Sequence, residues 1–173
     1  MAGYELNLQA DGWASVEELL RDAPRKLDIA AARALRKTAQ WLRTHSTREI
    51  ARELRITQSP VRHRYIINTR STANEVKLWV GLNPISVHYL GTPQQTPTGV
   101  KVGHRAYDDA FISPMKTRHR LVWRRKGRER LPIERVTEDW DGPALDVLSR
   151  WEKRSMERFA ELFEQEARYV LSQ

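Results

Sequence analysis

The spacing of apolar residues divides the chain into a helical front, a strand-rich middle and a helical end. From Leu27, apolar and small side chains return at Ala31, Ala34, Thr38, Trp41, Leu42 and His45, the spacing of one helix face. The stripe begins in alanines and ends in tryptophan, so its first half predicts a close approach by another element. Before it, Ser15-Val16-Glu17-Glu18 has the form of a capping box, whose side chains satisfy free amides of a first helical turn. Pro24 then interrupts or restarts that helix. A second pattern of this kind, Ser46 to Glu49, predicts a further helical piece through about Leu54.

The period changes in the middle. Glu75-Val76-Lys77-Leu78-Trp79-Val80-Gly81 alternates as a strand with one buried face. Ile85 to Gly91 reads as a second strand, with Asn83-Pro84 as the turn between them. Thr92 to Gly99, rich in Pro, Thr and Gln, buries little and predicts a mobile loop. Shorter extended segments follow at Val100–Val102, Ala110–Ile112, Leu121–Trp123 and Ile133–Val136. Between the last two, Arg124-Arg125-Lys126-Gly127-Arg128 makes a basic hairpin tip. Asp141-Gly142-Pro143 supplies a cap and an early proline for a helix running to the end of the chain. Leu145, Leu148, Trp151, Phe159, Leu162, Phe163 and Val170 would lie on one side of it. Arg154, Glu157, Arg158, Glu161 and Glu164 would pair along the rest. The predicted class is α+β: N-terminal helices (1–70), a small central antiparallel sheet with long loops (71–140) and a long C-terminal helix (141–173), forming one domain over 1–173.

Charge adds a polarity to this layout. The net formal charge is +8, with 13 basic and 8 acidic residues through Ser71, 12 and 7 from there through Trp140, and 5 and 7 after it. The first two thirds would attract a polyanion by counterion release, or an acidic protein partner equally well. Cysteine is absent, which excludes disulfides and thiolate metal sites and fits a protein folding in a reducing cytoplasm. No apolar run approaches the roughly 20 residues needed to span a bilayer, and Met1 to Glu5 lacks a signal-peptide pattern, so no membrane association is expected.

Recognisable catalytic chemistry is sparse. His45, His63, His88, His104 and His119 stand apart, without metal-ligand spacing. Gly-rich phosphate loops and the Gly-x-Ser-x-Gly turn are absent. Asp108-Asp109 reads as a solvated turn. The expectation is a non-enzymatic protein with no catalytic, cofactor or metal residues. One rival element is Arg48 to Arg64, which has the form of a helix-turn-helix: Ile50, Ala51, Leu54, Ile56 and Val61 would pack its two helices. Ser59-Pro60 would start the second helix, and Arg62, His63 and Arg64 would face DNA, as in a sequence-specific regulator. It departs from the motif at Arg55, where the turn usually has glycine, and at Arg64, where an apolar residue usually stands.

Three segments together resemble the tailed-phage minor tail protein Z, or tail-completion, family. They are the alanine- and arginine-rich stretch Lys26–Ala39 with Ile50–Leu54 and Val61–Ile67 after it; the middle element; and the charged stretch Ser155–Glu166. The middle element comprises Ala110-Phe111-Ile112, Val122 to Gly127 and Leu131-Pro132-Ile133-Glu134-Arg135-Val136. The resemblance implies a virion protein made in the host cytoplasm and built into the neck, the head-proximal end of the tail. There it would act in virus assembly, completing the tail and aiding head-tail joining. It implies a homo-oligomeric ring, with a hexamer expected from the tail context, beside the tail terminator and head-tail connector proteins. The candidate interface anchors are Trp79, Trp123, Trp140 and Trp151. Arg124, Arg125, Lys126 and Arg128 are the candidate contacts to a partner or, non-specifically, to the end of the double-stranded genome.

Overall fold

The computed structural model describes residues 3–9, 24–69, 75–115 and 120–172, so the Ser15–Glu18 box lies outside the described residues. Two long helices dominate. Helix α1 spans Pro24–Glu53 and helix α3 spans Asp141–Leu171, each about 45 Å long at 1.5 Å per residue. They run antiparallel. Leu27 and Ala30 pack with Ala167 and Val170 at one end, and Arg150 reaches Glu49 and Glu53 at the other. Ala30, Ala31 and Ala34 are fully buried, so the alanine half of the stripe does admit a close neighbour. Glu166, itself buried, is held there by ion pairs to Lys37 and Arg33.

Helix α1 is one piece, where a second start was expected at Ser46. The Ser46 hydroxyl donates to the carbonyl of Leu42, four residues back, at 2.6 Å and accepts from Tyr65 Oη at 2.8 Å. A hydroxyl satisfied in this way can be buried inside a helix and leaves no cap to form. The helix ends instead in a Schellman turn: Ile56 N donates to Ala51 O at 2.9 Å and Arg55 N to Arg52 O at 3.1 Å. Arg55 takes the left-handed conformation this turn requires, with φ +53°. Helix α2 (Gln58–Arg62) is only five residues and gives way to strand β2 (Tyr65–Asn68) within three more. The second helix of the expected helix-turn-helix therefore makes less than two turns.

The class is α+β, but among the described residues the strands form four small antiparallel sheets in place of one. Strand β3 (Glu75–Gly81) lies between β1 (Gly3–Gln9) and β2, both from the part expected to be helical. Val76, Leu78 and Val80 alternate into the core beneath α1. Strand β4 is only Ile85–Ser86, and it pairs with β11 (Thr137–Glu138) and not with β3. Buried Val87 turns the chain there into a 3₁₀ turn, Val87–Tyr89, and donates its N–H to Val136 O at 3.2 Å.

The expected loose loop is also structured. Strands β5 (Pro93–Gln95), β6 (Gly99–Val102) and β7 (Arg105–Asp108) form one sheet. The Gln95 amide binds the carbonyl of Gly99 (2.8 Å) and accepts from Ile112 N (3.1 Å), which ties the turn to strand β8 (Ala110–Ser113). The last sheet joins β8 to β9 (Leu121–Arg125) and β10 (Ile133–Arg135).

Helix α3 begins at Asp141, the expected start, but Trp140 and not Asp141 precedes its first turn. Trp140 is buried and its indole N–H donates to Asn83 O at 2.9 Å. This phase puts Ala144, Val147 and Leu148 in the core and leaves Leu145 exposed, contrary to the predicted stripe. Of the expected surface pairs, Arg158 to Glu161 forms at 2.6 Å.

Candidate anion-binding face

The basic hairpin adjoins the corner beneath it, and Arg135 and Thr137 line hollows common to both. In the β9–β10 hairpin, Arg124 stands opposite Glu134, Arg125 opposite Ile133 and Trp123 opposite Arg135. Residues 126 to 130 are exposed at the tip, which Lys126 N closes onto Pro132 O at 3.0 Å. Arg125, Lys126 and Arg128 are therefore open to solvent, as a tip would be. Arg124 differs: it is half-buried, donates through Nε to Asp108 O at 3.1 Å and braces the sheet.

Val136 sits in the core, donating to Val122 O and accepting from Val87 N. Arg135 and Thr137 flank it in extended chain and so point the other way. There they meet residues from two other segments. Buried Val61 anchors α2 and leaves Ser59 and His63 outside. Arg64 follows, half-buried, its Nη2 on Pro84 O at 3.2 Å and its own carbonyl accepting Gly81 N at 2.9 Å. Tyr89, at the end of the 3₁₀ turn, is 52 % exposed, and its ring packs against His88, 3.8 Å between centroids at a tilt of 40°. His88 is itself tied to Ser86 Oγ through Nδ1 at 2.8 Å.

These side chains enclose an open cavity of about 480 Å³, with His63, Arg64, Tyr89, Arg135 and Thr137 on its wall and, among the described residues, no carboxylate in its lining. A shallower hollow of about 250 Å³ adjoins it, sharing Arg135 and Thr137 and bounded by Arg124 and Glu134. Among the described residues neither Arg64 nor Arg135 forms an ion pair. Arg135 instead lies over the Trp123 ring, 5.8 Å from its centroid. A concave wall with one sign of charge focuses the field and concentrates anions.

The four tryptophans separate by burial. Trp140 is core and unavailable as an interface anchor. Trp123 is half-buried, its indole N–H on Ser113 O at 2.9 Å. Trp151 is half-buried between the helices, packed on Trp41 and His45 and donating to Glu49 at 2.7 Å. Trp79 lies on the outer face of its sheet, over the paired glycines Gly3 and Gly81, and opposite Ile66, which is 57 % exposed. A Cβ at Gly3 would come within 2.5 Å of the indole nitrogen, so this bare patch is what lets the ring lie flat.

Burial raises the Tyr4 hydroxyl to about 12, aided by its bond to Glu152 at 2.6 Å. It also pushes Tyr65 to about 12, against the bond to Ser46. Both stay protonated donors. His45 is held below its ordinary value by burial and by Arg48 and Arg158. None of these groups reaches the cavity. Among the described residues no cluster of His, Asp or Glu could hold a metal ion, and no helix is long and apolar enough to cross a membrane.

Sequence reasoning singled out the hairpin tip but not the cavity beneath it. Arg64, Tyr89 and Arg135 come from three separate segments: the pairing of β4 with β11 brings Tyr89 and Arg135 together, and bonds to Pro84 and Gly81 place Arg64. No spacing along the chain carries that signal. Comparison with models of protein families, with curated proteins and with solved structures finds no match.

Proposed function

We propose that this protein is a structural component of a phage tail, completing its head-proximal end and aiding its joining to the head. One observation carries the reading beyond the sequence resemblance. Lys26–Ala39 and Ser155–Glu166, far apart in the chain, lie on two helices packed against one another and joined by the Lys37–Glu166 pair. The outer segments of the resemblance thus form a single unit, with the middle element, the β8–β9–β10 sheet, in the same body.

The protein acts by binding. A ring needs two different surfaces that fit head to tail, and complementary charge sets their register. The exposed basic tip at Arg125, Lys126 and Arg128 offers one sign, and the net-acidic last segment, with Glu157 exposed on α3, offers the other. Trp79 with Ile66, and Trp123 with Arg135, are the aromatic anchors at the surface. The partners are further copies of the chain, the tail terminator and connector proteins, and non-specifically the genome end. The regulator reading has less support, because α2 is five residues and ends beside a strand.

Disrupting the gene in a phage that encodes it tests the proposal. Filled heads and separate tails, rescued by the chain supplied in trans, are the expected result. Normal infectious particles without the chain would exclude the role.

A further inference from the structure

We infer that the cavity between α2, the 3₁₀ turn and β10 binds a nucleotide unit, its phosphate on Arg64 and Arg135 and its base on the free face of Tyr89. The volume of about 480 Å³ falls within the roughly 300–1,000 Å³ of small-ligand sites. Two guanidiniums on one wall, neither in an ion pair among the described residues, are the chemistry that holds a phosphate with two parallel N–H donors. Arg64 is already oriented by its bond to Pro84 O, which uses one of its five donors. His63 and Thr137 add polar contacts at the rim.

The aromatic partner distinguishes this site from a plain basic patch. Tyr89 packs against His88 with the two rings tilted by 40° and is half open to solvent, so a base can cover its exposed side. A base inside a duplex offers no such face, because its neighbours cover it. Aromatic rings set beside arginines are the arrangement that binds single strands without reading sequence. From the cavity, the Arg135–Thr137 wall leads through the adjoining hollow toward Arg124 and the exposed tip. That is a path for the phosphates of further nucleotides. A free nucleotide and a unit of a single strand share this chemistry.

Fluorescence anisotropy of a short labelled oligothymidylate with the full chain tests the assignment, with thymidine monophosphate and a duplex of the same length as competitors. Arg135→Ala and Tyr89→Ala remove exposed side chains, and unchanged circular-dichroism melts will confirm that both variants fold. Tyr89→Ala should weaken strand binding roughly 5- to 150-fold, the loss of one base-aromatic stack. Arg135→Ala should lower the slope of log affinity against log salt by about 0.7, one phosphate contact on a single strand. Competition by the monophosphate at concentrations matching the strand assigns the site to free nucleotides; competition only by strands assigns it to single-stranded nucleic acid. Binding that prefers the duplex, binding unaffected by Tyr89→Ala, or no binding at low salt would each overturn the inference.

Discussion

Arg55→Gly should stabilise the protein, although it removes a charged side chain. Arg55 ends helix α1 at φ +53°, and both hydrogen bonds of its Schellman turn are made by backbone atoms that a glycine would keep. The left-handed conformation costs an L-residue about 1–2 kcal/mol. Glycine removes that cost but gives back roughly 0.5–1 kcal/mol through the greater freedom of its unfolded chain. The arginine side chain is exposed and, among the described residues, in no ion pair, so little else is lost. From the middle of each range, the balance is a gain of about 0.75 kcal/mol, or about 1.5–3 °C in melting temperature for a chain of this size. Urea denaturation should show a higher midpoint with unchanged slope. Arg55→Ala, which keeps the β-carbon, should show no such gain. A glycine variant no more stable than the alanine variant would refute the argument that this turn is strained.

Gly81→Val places side-chain atoms where the Trp79 ring lies, 2.7 Å from a Cβ, and should cost about 1–3 kcal/mol by overpacking while shifting tryptophan emission to the red. Ala34→Leu, at a fully buried site between the long helices, should cost a similar amount and lower the thermal midpoint. His45 is held below its ordinary value by burial first and then by Arg48 and Arg158. The unfolded chain therefore binds the extra proton as pH falls through 6.5, and stability should decline from there toward the folded value. His45→Gln should flatten that part of the profile, as read by urea midpoints at a series of pH values. Replacing Arg125, Lys126 and Arg128 together by Gln should leave the melting temperature within a degree or so, since all three are exposed, while weakening salt-dependent DNA retention.

The sequence reading succeeded where burial follows a local period. Strand β3 has the predicted bounds, and the stripe from Leu27 to Leu42 is the buried face of α1. It failed where partners distant in the chain decide. Ser46 looks like a cap, but Tyr65 supplies the hydrogen bond that lets it stay inside the helix. Thr92 to Gly99 has no hydrophobic period, and the order there comes from Gln95 binding Gly99 and Ile112. Ile85 to Gly91 has good strand composition, but its partner is the two-residue β11 more than fifty positions on. The candidate site divides the same way. The basic tip was legible as a run of arginines, whereas the cavity depends on that distant β4–β11 pairing.

The proposed function places this chain in a phage particle. Quantitative mass spectrometry of purified particles from the producing host tests it most directly. A structural role predicts a few copies per particle, in a fixed ratio to the tail terminator. A chain abundant in infected cells but missing from particles would contradict it.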